Sequence, residues 1–117
     1  APPLPAGARA ATAEARAKAY QAAAFGDDKP DTDAMLWGLA RTQAVDLGKD
    51  ADALRTLELL VRKSPGGAQI EAVLWLRVRL LCAHRIDETC RAAAHTYVAK
   101  FPGTARGALA TRITDAR

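Results

Sequence analysis

Asparagine is absent from this chain, methionine occurs once, and aromatic residues make up only 5% of it. A core built on large rings is therefore excluded. Alanine is abundant instead, and it suits helices packed close together, having the highest helix propensity and letting neighbouring axes approach. Nowhere does an apolar run reach the roughly 18 residues that span a bilayer, and the opening residues lack the layout of a signal peptide. No block of about five like charges exists to act as a phosphate-binding tail. Missing too are a Ser-His-acid order, a nucleophile elbow, a glycine-rich phosphate loop and a metalloprotease motif, so neither an enzyme nor a cofactor site is expected. The lack of asparagine, with arginine outnumbering lysine, is the usage of a GC-rich bacterial coding sequence, an association rather than a physical inference.

What remains is ordinary for a globular chain of 117 residues: 50% apolar, 26% charged, enough for one modest core. The formal charge of +4 is spread among interspersed acidic residues, which gives a solvated basic surface and a weak bias towards acidic partners. Residues 1–6 are rich in proline and read as a stiff linker out of something upstream, such as a lipid anchor, a membrane helix or another domain.

Hydrophobic spacing and helix punctuation predict six helices. The first runs from about Gly7 to Phe25 and is closed by Gly26. A polar loop follows, then a helix capped by Asp31 or Thr32 and stopped by Gly48. The third starts near Lys49 with Leu54, Leu57, Leu60 and Val61 as its face, and breaks at Pro65-Gly66. The fourth, about Ala68 to His84, is apolar on two sides. A turn at Arg85–Asp87 leads into the fifth, which ends at Pro102-Gly103. The sixth spans about Thr104 to Ala116, with Leu109 and Ile113 as its anchors.

Two stretches ending in Pro65-Gly66 and Pro102-Gly103 lie 37 residues apart. In the longer units that these stretches close, Trp37, Ala53 and Pro65 have the same spacings as Leu74, Cys90 and Pro102, so Ala53 and Cys90 are equivalent small residues at hairpin crossings. This pattern, together with Gly48, Leu57 and the stretch Phe101-Pro102-Gly103-Thr104-Ala105-Arg106-Gly107-Ala108, resembles the tetratricopeptide family, in the loose form found in bacterial cell-envelope proteins. Ala40-Arg41 and Arg77-Val78 stand where the family has a Leu-Gly pair, and Trp75 falls one residue late. The resemblance covers about Asp31 to Arg112 and implies antiparallel helical hairpins stacked as a short right-handed superhelix, in a repeat domain expected over residues 7–117, with a scaffold or adaptor role and no catalytic residue.

Candidate chemistry is sparse. Cys82, His84, Cys90 and His95 crowd into one hairpin, but Cys90 and His95, five apart on a helix, are rotated by about 140° and do not point at one metal ion. Cys82 and Cys90 lie four residues either side of a turn centred near Ile86. They can form a disulfide in an oxidising compartment, or remain two buried thiols acting as small hydrophobes. Asp27, Asp28, Asp31 and Asp33 read as helix-cap acids rather than calcium ligands. Trp37 and Trp75 read as core knobs. Arg77, Arg79, Arg85, Arg91 and Arg106 form either a solvated face or a basic stripe.

The expected function is non-catalytic binding of a protein or peptide in a groove made by residues 31–48 and 68–85. Arg41, Gln43, Gln69, Arg77 and Arg79 are the expected contacts. The alternative is an accessory periplasmic domain of a larger membrane-anchored regulator or enzyme. No nucleic acid, metal or cofactor is expected. The bacterial periplasm or the periplasmic face of the outer membrane is the expected location, and self-association through a terminal helix suits so short an array.

Overall fold

The computed structural model describes residues 12–25 and 32–116. They form six α-helices: α1 (Ala13–Phe25), α2 (Thr32–Arg41), α3 (Asp50–Lys63), α4 (Ile70–Leu81), α5 (Glu88–Lys100) and α6 (Ala105–Asp115). A π-helical turn, Thr42–Asp46, continues α2. No strand occurs among the described residues, and each helix packs on a sequence neighbour, so the protein is all-α with helices paired through short connections. The Pro-rich linker, the helix start at Gly7, the stop at Gly26, the loop with Asp27 and Asp28, and the Asp31 cap lie outside the described residues. The chain forms two compact units that divide between Gln69 and Ile70.

In the first unit α2 packs against both α1 and α3. Met35, Leu36, Leu39 and Ala40 recur at helical spacing and are buried, as are Ala53, Thr56, Leu57 and Leu60 of α3. This corrects the expected α3 face: Leu54 and Val61 are only half-buried. The buried stripe is turned towards Ala53 and Thr56, whose short side chains admit α2 at close range. Asp50 and Asp52 in the first turn of α3 and Arg62 and Lys63 in its last complement the helix dipole.

In the second unit α5 lies between α4 and α6 in sequence and packs on each. Cys90, Ala93, Ala94 and Tyr97 form its buried face at three- and four-residue spacing. Asp87 caps it, accepting from the Cys90 amide at 2.9 Å. Helix α4 buries Val73, Leu74, Leu76 and Val78, which lie on more than one face, and it ends at Leu81, short of the expected His84. A second correction concerns α6. Gly107 and Ala110 are its buried residues, Ile113 is half-buried and Leu109 is 47% exposed. Leu109 lies two positions from Gly107, about 200° around the helix, so it faces away from α5.

Candidate partner-binding surfaces

In the first unit α1 and α2 approach closely at Gly38. A Cβ at that position would overlap the Tyr20 ring, so its absence lets Tyr20 of α1 lie directly on α2. One turn later the Thr42 hydroxyl donates to the Gly38 carbonyl at 2.9 Å. The ladder then widens: the Leu47 amide donates to the Thr42 carbonyl, five residues back, at 3.0 Å, and the Lys49 amide reaches the Gln43 carbonyl at 2.8 Å. Gly48, at φ 63°, makes that last closure.

This widened turn borders two concavities. One, of about 230 Å³, lies between Tyr20, Arg41 and Asp46. Arg16 of α1 reaches Asp46 at 3.1 Å across its mouth, and the Arg41 guanidinium sits 5.8 Å from the Trp37 ring centroid. The other, of about 210 Å³, has Leu36, Leu39 and Leu59 along its floor and Phe25, Gln43 and Arg55 among its walls. Gln43 is held there by the Thr56 hydroxyl, which donates to its Oε1 at 2.7 Å. Arg55 pairs with Asp52 one turn away.

In the second unit the polar groups form a clamp. The buried Tyr97 hydroxyl donates to Glu71 Oε2 at 2.6 Å, and Arg106 Nη1 lies 3.0 Å from both oxygens of the same carboxylate. Arg106 also stacks over Trp75, 5.6 Å from its centroid, and Trp75 meets Tyr97 edge-on at 5.4 Å. Thr104 caps α6 by accepting from the Gly107 amide at 2.9 Å, and its oxygen lies 3.2 Å from the Tyr97 hydroxyl. The Tyr97 hydrogen bond, more than Arg106, holds the Glu71 carboxyl below its usual range against the opposing effect of burial. Burial, then the Glu71 carboxylate, pushes the Tyr97 phenol up. Nearby, Cys82 and Cys90 are joined in a disulfide with Cα atoms 4.8 Å apart. Both sulfurs are thereby occupied, so neither offers a thiolate.

Within each unit the expected contact residues do not gather at one site. Arg41 and Gln43 are neighbours on the widened turn but border different concavities. Gln69 is half-buried just before α4. Arg77 and Arg79 are two residues apart on α4, about 200° around its axis; Arg77 is half-buried and Arg79 exposed. Trp37 and Trp75 are half-buried, each with an arginine over its face. Sequence reasoning missed Gly38, Tyr20 and the Glu71, Tyr97 and Arg106 clamp. The Thr104 cap was open to it, since a threonine directly after Pro-Gly and before a helix is a start signal.

These features define an all-α protein of helical hairpins with concave, mixed polar and apolar surfaces. In comparisons with known proteins the chain matches no family model, no curated sequence and no solved structure.

Proposed function

We propose that the chain is a non-catalytic interaction module that binds a protein or peptide partner through its helical hairpins. The observation that carries this reading is the groove floored by Leu36, Leu39 and Leu59, at whose edge Phe25 stands 54% exposed. An aromatic side chain left open beside the half-buried Leu59, with Gln43 and Arg55 supplying polar contacts, has the composition of a protein-binding patch. The reactive side chains support the same reading. Both cysteines are consumed in one bridge, and His84 and His95 are exposed on the surface. Such a bridge persists in oxidising compartments, which supports the periplasm as the working place.

Affinity capture with the purified chain tests the groove. The wild type is expected to recover a partner from a bacterial envelope extract, and Phe25→Asp to lose it while keeping its helical circular dichroism. Equal recovery by both proteins would remove the groove from consideration. Arg112→Glu, exposed on α6 and not among the expected contacts, serves as the charge-reversal control.

A further inference from the structure

The widened turn carries an inference that rests on the interaction-module reading and makes it chemically specific. Fewer than about 1% of residues in globular proteins are π-helical, and such turns concentrate at functional sites, because they interrupt a regular hydrogen-bond ladder. Here the turn supplies one wall of the cavity between Tyr20, Arg41 and Asp46. Its volume, about 230 Å³, falls below the roughly 300 Å³ at which small-molecule sites begin and suits one anchoring side chain of a longer ligand.

Charge then selects the ligand. Asp46 is matched by Arg16 at 3.1 Å. Arg41 pairs with no carboxylate among the described residues and rests on Trp37. A guanidinium lying on an aromatic face keeps its N–H edge free to meet a carboxylate with two parallel hydrogen bonds. Beside it on the turn, Val45 is 70% exposed, an aliphatic side chain turned to solvent. We propose that this cavity is a docking site for an acidic peptide segment, whose carboxylate is received by Arg41 and whose neighbouring aliphatic side chain covers Val45. A basic segment, or one with asparagine in place of the acidic residue, offers Arg41 no acceptor of matching charge and binds less tightly.

The test is an amide-resolved NMR titration of the whole chain with three short peptides: acetyl-Leu-Asp-Leu-amide, its Asn analogue, and acetyl-Leu-Leu-Leu as the free acid. The Asp peptide is expected to move the amides of Thr42–Asp46 in a saturable way. It should bind about tenfold or more tightly than the Asn analogue, as a charge-assisted hydrogen bond requires. Arg41→Gln, an exposed substitution whose spectrum away from the turn should not change, is expected to abolish that difference. Binding of the free acid as tight as that of the Asp peptide assigns the carboxylate to a chain end, and binding of the Asp peptide alone assigns it to an internal acidic residue. Equal binding of the Asp and Asn peptides, a difference that survives Arg41→Gln, or shifts confined to other helices would overturn the proposal. Partner capture that is lost in Phe25→Asp, combined with no peptide response, fells this site and leaves the module standing. A peptide response with no partner lost in Phe25→Asp removes the apolar groove and leaves this site as the module's binding surface.

Discussion

At the scale of single residues, two glycines permit close approaches of different kinds, and the difference predicts what replacing each will do. A Cβ on Gly38 meets an aromatic ring that can swing aside, so Gly38→Ala mainly displaces Tyr20 and gains some helix propensity. A Cβ on Gly107 meets backbone: it would overlap the Phe101 carbonyl oxygen and lie 2.9 Å from that of Pro102. Gly107→Ala is therefore expected to cost about 1–3 kcal/mol in urea unfolding despite its better propensity. A cost within a few tenths of Gly38→Ala would show that the α5–α6 turn gives way easily. Glu71 makes the pH-dependent case. Its folded carboxyl titrates below the usual glutamate range, so its stabilisation is fully present above about pH 4.3 and is lost as pH falls through the lower folded value. Asp87 acts in the same direction, held low first by the Cys90 amide and then by Arg85. Thermal melts of Glu71→Gln should accordingly lose less stability between pH 5 and 3 than the wild type, with a residual slope left by Asp87. Parallel melting curves for the two proteins would exclude the clamp as a source of acid sensitivity.

Among the elements, those with local punctuation were legible in the sequence. Gly48, Pro65-Gly66 and Pro102-Gly103 mark helix ends because they act on the backbone within one turn, and Thr104 starts α6 for the same reason. The π-helical turn was not legible, since widening the ladder by one residue requires no particular side chain. Nor was the clamp: Glu71 stands 26 residues from Tyr97 and 35 from Arg106, separations at which no periodicity speaks. Leu109 was misplaced because burial on α6 is decided by which small residues approach α5, and size alone pointed the other way. Across the α4–α5 connection, the disulfide closes a loop of eight residues. Constraining that loop in the unfolded chain is worth about 2–3 kcal/mol. Cys82→Ala/Cys90→Ala is expected to lower the unfolding free energy from urea titration by that amount, and the intact mass of the wild type should rise by two hydrogens on reduction. A wild type whose mass and midpoint ignore reductant would remove the bridge.

For the whole molecule, the division between Gln69 and Ile70 gives each unit its own set of buried side chains. In the first unit Leu57 is fully buried, and truncating such a side chain to alanine costs about 2–5 kcal/mol. Hydrogen exchange of Leu57→Ala is expected to accelerate at the α2 and α3 amides well before those of α5 and α6. Uniform acceleration along the chain would mean that the two units open as one cooperative body. Among the described residues no helix is long and apolar enough to cross a membrane.

Gly48 closes the turn at φ 63° with nothing within 4 Å of where a side chain would begin. Chirality, not volume, is what excludes other residues there, and this chain has no asparagine, the usual substitute in that conformation. L-alanine at this position should cost about 1 kcal/mol. A chemically synthesised chain with D-alanine at 48 should instead gain about 0.4–1 kcal/mol, since its mirror-image preference restricts the unfolded chain to the conformation that the fold already uses. Matching melting temperatures for the two diastereomers would show that handedness has no hold on this turn.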